Sequence, residues 1–400
     1  MGKVLLFEPL EIRSVQLKNR IVISPMCQYT AQDGQITDWH LVHLGKFAQG
    51  GAALVFVEAT AIEERGRNTH GDLGIWDDCH IPGLKRIADF IRGQGAVPGI
   101  QLAHAGRKAS IARPWYGNGP LTASDLARGD NAWAIVGPSD RPAGEGWLIP
   151  HALTLSELDE VRSSYRTAVL RALHAGFDVV EIHGAHGYLL HSFLSPLANF
   201  RTDDYGGNIE RRMRFPLEIA ELVRESWPQD KPVFFRCSAV DDYDGGWTIE
   251  DTVTLSRELK TRGIDVIDCS SGGIVDSATS AVQMQPQTPR TPGFQIPYAE
   301  RIRRDVDIPT MAVGLIISAH QAEEALQQGR TDLIAIGREA LFNPNWPLHA
   351  AYDLDVATDF SFWPVQYGFW LTRRESSLRA QGIARRPPLE LAAHVRAANR

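Results

Sequence analysis

Val179-Val180-Glu181-Ile182-His183, running directly into Gly184-Ala185-His186-Gly187-Tyr188, is the stretch whose reading decides the fold. The first five residues are close to continuously apolar, which marks a strand buried on both faces; strict alternation would mark one with a solvent face. Ahead of it lies a long helical pattern, Ser156–Ala175, introduced by the cap signal Thr154-Leu155-Ser156-Glu157 and stopped by Gly176. The strand begins within a few residues of that stop, the short αβ connection typical of α/β units.

Working outward, the same unit recurs. Apolar runs rich in Val and Ile stand at 21–24, 53–58, 97–102, 179–183, 233–238, 266–270, 310–313 and 333–336. Amphipathic helical stretches separate them at 38–49, 81–94, 156–175, 208–226, 249–262, 297–304 and 319–328, and Gly263 and Gly329 stop two of these as Gly176 does. Eight strands alternating with helices predict a (β/α)₈ TIM barrel, and the eight-fold count favours it over a doubly wound sheet. Such a barrel uses about 250 residues, so the 400 of this chain leave a surplus. Two regions absorb it. Residues 108–150, rich in Gly, Pro, Asp and Trp, read as a long excursion after strand 3. Residues 346–400 read as a C-terminal extension of the barrel domain 1–345, with a helix at Leu389–Ala398.

Composition narrows the function. The net charge of −7 carries no basic stripe, so nucleic acid is not the expected partner. Cys27, Cys79, Cys237 and Cys269 are scattered with no C-x-x-C pair, which disfavours a zinc or iron–sulfur site and suits a reducing cytoplasm. Residues 1–9 lack a secretory hydrophobic region, and no run reaches the roughly 18 apolar residues that span a bilayer. A cytoplasmic protein is expected, with no membrane partner.

Barrel active sites sit at the C-terminal ends of the strands. In this chain those ends hold Pro25-Met26-Cys27-Gln28-Tyr29, Ala59-Thr60, Gln101 with His104 behind it, His183 with His186 and Tyr188, Arg236, Ser270-Ser271-Gly272-Gly273, Gly314 and Gly337-Arg338. A lone histidine here reads as structural. Two histidines and a tyrosine within six residues read as chemistry. The pair could ligate a metal in a barrel hydrolase, yet no third histidine or carboxylate stands near it in sequence, and no metal is expected. As hydrogen-bond donors, two imidazoles could hold a carbonyl oxygen on which charge gathers, with Tyr188 supplying a proton. Gly337-Arg338, with Gly314 at the preceding strand end, reads as a phosphate site; the plain alternative is a turn glycine and a surface arginine. Arg236 within an apolar strand requires an acceptor, either a salt-bridge partner or a cofactor that becomes anionic. Cys27 after a proline is either a small buried residue or a site residue. The apolar stretch 362–370 is expected to pack on its own barrel or on a neighbour.

Ser24-Pro25-Met26-Cys27-Gln28-Tyr29, Gln101-Leu102-Ala103-His104-Ala105-Gly106-Arg107-Lys108, His183-Gly184-Ala185-His186-Gly187-Tyr188, Arg201-Thr202-Asp203-Asp204-Tyr205-Gly206-Gly207 and Gly337-Arg338 occur in order between about Phe7 and Pro344. Together they resemble the old yellow enzyme family. The cysteine after Pro-Met, and the tyrosine two places on, resemble its thermophilic-like branch, which includes xenobiotic reductases. The resemblance implies non-covalent FMN reduced by NADPH or NADH, and hydride delivery to the activated C=C bond of an enone, enal, maleimide or nitroalkene. It implies that Ser24, Pro25, Met26 and Cys27 line the flavin and that Ala59 and Gln101 bond its polar ring. Arg236 would face the N1/O2 edge, and Gly314, Gly337 and Arg338 would hold the phosphate. His183 and His186 would grip the substrate carbonyl beside Tyr29 and Cys27, and Tyr188 would protonate the α-carbon. Some relatives pass a C-terminal arginine into a neighbouring subunit; Gly368-Phe369-Trp370 looks more like those that donate a tryptophan, which makes Trp370 a substrate-site residue in a homodimer. Nitro-ester reduction, oxidative demethylation and a flavin sensor or storage role are the alternatives.

Overall fold

The eight apolar runs become strands: β1 Ile21–Ile23, β2 Leu54–Ala61, β3 Val97–Ala103, β4 Val179–Gly184, β5 Val233–Ser238, β6 Val266–Ser270, β7 Thr310–Ala312 and β8 Leu333–Ile336. The computed structural model describes residues 3–275 and 288–383. In it each strand pairs in parallel with the next, and β8 returns to β1 through Ile334–Ile21 and Ile336–Ile23, so the sheet closes into a barrel. The outer helices are α1 Asp38–Gln49, α2 Ile81–Gly93, α3 Leu155–His174, α4 Ile209–Ser226, α5 Ile249–Thr261, α6 Ile296–Val306, α7 Ala319–Gln327 and α8 Trp346–Asp353, with α9 Val365–Ala380 beyond them. At α3 the cap read from sequence is present: the Glu157 N–H donates to Thr154 Oγ1 at 3.3 Å, and Glu157 Oε2 accepts from the Thr154 N–H at 2.7 Å.

Both faces of the strands are covered, which accounts for their continuous apolarity. Ile23, Val55, Val57, Ile100, Ile182, Phe235 and Ile267 face outward into one large core with the helices. The alternate residues Val22, Leu54, Phe56, Val179, Phe234, Val266, Met311 and Leu333 fill the barrel interior. An antiparallel hairpin, Leu10–Ile12 with Val15–Leu17, closes the bottom and packs Ile12 and Leu17 into the same interior cluster. Above the apolar layer the interior turns polar, with Gln101, Glu181, Arg236 and Asp268 all buried. Glu181, Arg236 and Asp268, charged residues within otherwise apolar runs, therefore belong to one layer.

The excursion after β3 forms a short helix, Ala123–Ala127, and a two-residue strand, Val136–Gly137, that pairs with His151–Ala152. Trp346 and Ala350 of α8 join the main core. In α9 the burial differs: Val365, Tyr367, Phe369 and Trp370 are all exposed, although Phe362 just before the helix meets Phe7 at 6.1 Å between ring centroids. The helix expected at Leu389–Ala398 lies outside the described residues. Among the described residues no helix is long and apolar enough to cross a membrane.

Candidate active site

Strand register brings the site residues into rows. Ala59 of β2 pairs with Gln101 of β3, which pairs with Glu181 of β4. Two residues further along β4, His183 pairs with Arg236 of β5, which pairs with Asp268 of β6. Ala59 reaches its row only because of a bulge. Val57 pairs with Ile100 and Ala59 with Gln101, so Glu58 has no partner position and the strand's facing shifts by one residue. The Glu58 carboxylate is left to accept the Gln28 N–H at 3.0 Å, which ties down the loop that carries Cys27 and Tyr29.

At the end of β4 the three residues singled out from sequence sit together. The His183 ring lies 5.1 Å from that of His186 and 4.8 Å from that of Tyr188, edge to face in both cases. Burial, then the Arg236 charge, push both imidazoles well below the usual histidine range, so both are neutral and each keeps one N–H. For His183 the bonding pattern assigns where. His183 Nδ1 accepts the Ala185 N–H at 3.2 Å, which leaves the proton on Nε2. His186 Nε2 lies 2.7 Å from Ser270 Oγ, which also receives the Gln295 amide at 3.2 Å. His186 has φ 61°, and its loop interlocks with the one after β6. A Cβ on Gly187, at φ +77°, would lie 2.3 Å from Gly273 O. Lys108 bridges the same two loops, donating to His186 O at 3.0 Å and Gly273 O at 2.6 Å.

The residues expected to meet a flavin fit one. Ser24 Oγ is buried without a partner among the described residues, and so is Arg236 Nε, although Asp268 Oδ2 lies 3.3 Å from it. Gln101 gives one amide hydrogen to Glu181 Oε1 at 2.8 Å and keeps its oxygen uncommitted. Burial and the nearby Asp268 push the Glu181 carboxyl well above the carboxylate range; burial raises the Asp268 carboxyl too, with the Arg236 guanidinium opposing the rise. Elsewhere on the same rim the ends of β1 and β8 meet: the Ser24 N–H donates to Ile336 O at 3.0 Å. A Cβ on Gly337 would find Met26 Sδ at 3.9 Å and Ser24 Cβ at 4.0 Å, ordinary van der Waals contacts, so this glycine lies against the loop after β1. Gly314 holds φ +113° just past β7, a conformation that favours glycine, and Arg338 is exposed after β8.

A cleft opens between Cys27, Ala59, Asn68, Asp72, Ala103 and Tyr188. Burial, with Glu58 and Asp72 close by, pushes the Cys27 thiol up, so it stays protonated. Tyr29, at φ 54°, sits in the same loop with its ring 6.0 Å from Trp115 of the excursion. Trp370, on α9, is 64% exposed, with its ring edge-on to that of Phe369 at 5.2 Å. Sequence reading passed over Glu58, Asn68, Asp72 and Gln295. Glu58 stood within a run read as strand, and a charged residue there was the available signal. Asn68 and Asp72 lie in an irregular segment after β2, where no periodicity draws notice.

A parallel barrel whose interior ends in this polar layer, with a histidine–tyrosine cluster at its rim, defines a TIM-barrel oxidoreductase site. A family model described as NADH:flavin oxidoreductase / NADH oxidase matches residues 5–356, and the chain belongs to that family. It is an NAD(P)H:flavin oxidoreductase whose cofactors are FMN and NAD(P)H. An NADPH dehydrogenase of Geobacillus sp. (strain WCH70) is 43% identical over 367 residues, covering 91% of this chain and 98% of that protein. Among solved structures, morphinone reductase superposes with a TM-score of 0.70 at 26% identity, over 88% of this chain and 90% of its own. A 2-naphthoyl-CoA reductase shares the fold, with a TM-score of 0.76 at 24% identity; the match covers 87% of this chain and 52% of that longer one.

Proposed function

We propose that this enzyme is an ene-reductase acting on activated C=C bonds of α,β-unsaturated carbonyls, maleimides or nitro compounds. The observation that carries this reading is the grouping of two neutral imidazoles, each with one N–H, beside a buried phenol at the end of β4. The chemistry FMN supplies when bound is hydride transfer, taken from NAD(P)H and given to the alkene's β-carbon. Arg236 and Gln101 would hold its polar ring together with Ala59. Ser24, Pro25, Met26 and Cys27 would line it, and Gly314, Gly337 and Arg338 would take the phosphate. Addition at the β-carbon moves charge onto the carbonyl oxygen. The N–H groups of His183 and His186 would meet that charge, and one preorganised donor of this kind is worth about 3 kcal/mol. Tyr188 would then give its proton to the α-carbon, while Tyr29 and Cys27 border the substrate. Burial, with Cys27 and Asp72 near, pushes the phenol up from its ordinary value of about 10, so it is protonated at neutral pH. The barrel 1–345, with its 108–150 insertion, would work in the cytoplasm as a homodimer in which the 346–400 extension brings Trp370 to a neighbouring site.

Anaerobic stopped-flow tests the reading. Enzyme reduced by NADPH is expected to be reoxidised by 2-cyclohexenone, and the Tyr188→Phe variant to lose mainly that second step. Reduced enzyme that ignores 2-cyclohexenone and maleimide, or a variant slowed equally in both half-reactions, would overturn it.

A further inference from the structure

Asn68 is a polar residue buried where the fold does not need one. It belongs to no helix or strand, and it is only 6% exposed. Its backbone is held from both sides: the N–H donates to Asp72 Oδ2 at 2.8 Å, and the C=O accepts the Ile111 N–H at 2.9 Å. The side chain is therefore set in one direction, and its Nδ2 donates to the Tyr188 hydroxyl oxygen at 2.5 Å. Among the described residues Asn68 Oδ1 is buried with no partner. Turning the amide over would pair that oxygen with the phenol but orphan a buried NH₂, and unpaired N–H groups are the rarer defect. A side chain of similar shape without polar atoms would avoid both costs. Asn68, like Tyr188, borders the cleft.

We infer that Asn68 is a positioning residue for Tyr188: its amide occupies the phenol oxygen as donor, directs the phenol's own proton into the cleft, and stabilises the oxygen once that proton has left. The inference rests on the ene-reductase reading above. In the step concerned, the Tyr188 O–H bond breaks and a C–H bond forms at the α-carbon. The electron pair for that bond comes from the carbanion equivalent made by hydride addition, NAD(P)H is the two-electron reductant, and solvent returns a proton to the phenolate. The groups facing the phenol oppose charge on it. Cys27 and Tyr29 approach from the loop after β1, Asp72 from the loop after β2, and the neutral His183 from β4. Lys108, whose ammonium stands 6.0 Å from the ring centroid, is the one cation among these described residues. Among the bonds to the phenol, the Asn68 amide is the one that pulls its proton affinity down.

The test uses FMN-loaded enzyme. Asn68→Leu keeps the shape and removes the donor. It is expected to slow reoxidation by 2-cyclohexenone roughly 10- to 100-fold, the worth of a hydrogen bond to a charged oxygen, while the NADPH step loses far less. Asn68→Asp puts an acceptor where the donor was and is expected to slow reoxidation at least as much. The second readout is not a rate. In protein labelled with ¹³Cζ-tyrosine, the Tyr188 resonance, identified by its absence in Tyr188→Phe, is expected to move in both Asn68 variants, and Asn68→Asp serves alone if Asn68→Leu does not fold. Reoxidation at the wild-type rate in either variant, equal loss in both half-reactions, or an unmoved Tyr188 resonance would each overturn the inference. Failure of the parent reading looks different: there, wild-type reduced enzyme itself is not reoxidised.

Discussion

Glu63, at the start of the segment after β2, shows how this rim handles single charges. Its side chain is mostly buried, which alone would raise its pKa. His104 Nε2 at 3.4 Å and Arg65 Nε at 2.6 Å outweigh the burial and hold it at about 2. The folded value lies below the unfolded one, so the native state gains stability wherever the carboxylate is ionised. That gain is complete above about pH 4.5 and is lost as the pH falls toward 2. Its size at neutral pH is about 3 kcal/mol. Denaturant unfolding of wild type and Glu63→Gln should therefore differ most at neutral pH and converge in acid; a difference that stays constant from pH 7 to pH 3 would contradict the assignment. Some residues at this scale were plain in the sequence and others were not. His183, His186 and Tyr188 announce themselves because three reactive side chains follow one strand. Asn68 does not, because its role depends on a contact across 120 positions that no local spacing encodes.

At the level of elements, the strands and helices were readable wherever burial imposes a period. The capping box at Thr154 is an example, since cap chemistry is local. The β2 bulge was hidden. A continuous apolar run has no alternation to break, so one extra residue leaves no trace in the pattern, yet it decides that Ala59 and not Glu58 faces inward. α9 is a different case: its apolar residues were expected to pack on their own barrel or on a neighbour, and in one chain they are exposed. The loops after β4 and β6 act as one element, because each backbone occupies the space a Cβ on the other would need. Gly187→Ala is expected to cost about 1–3 kcal/mol through its positive φ and its clash with Gly273 O. It should also weaken the enzyme's hold on 2-cyclohexenone by displacing His186. Thermal unfolding and the 2-cyclohexenone concentration that half-saturates reoxidation measure the two effects, and an unchanged half-saturation would show that the loops move independently.

For the whole molecule, the open question is what α9 covers. Val365 is 77% exposed and Trp370 64%, on a helix whose neighbours Phe369 and Tyr367 are exposed too. Deleting residues 361–400 is expected to convert a dimer into a monomer in analytical ultracentrifugation and to change the enzyme's preference among alkenes. A truncated protein with the same oligomeric state and the same preference would remove the extension from the site. Barrel closure has a consequence of a different kind, in the order of synthesis. The seam joins Ile21 with Ile334, and Ser24 meets the backbone next to Gly337. No chain still emerging from a ribosome can close that seam until almost all of the barrel has been made. Until then two sheet edges stay unpaired and liable to pair with other chains. Ser24 and Met26 are made early, and Gly337 is made late. FMN held between them would act as a clasp on the last joint to form, retained by finished barrels and not by partial ones.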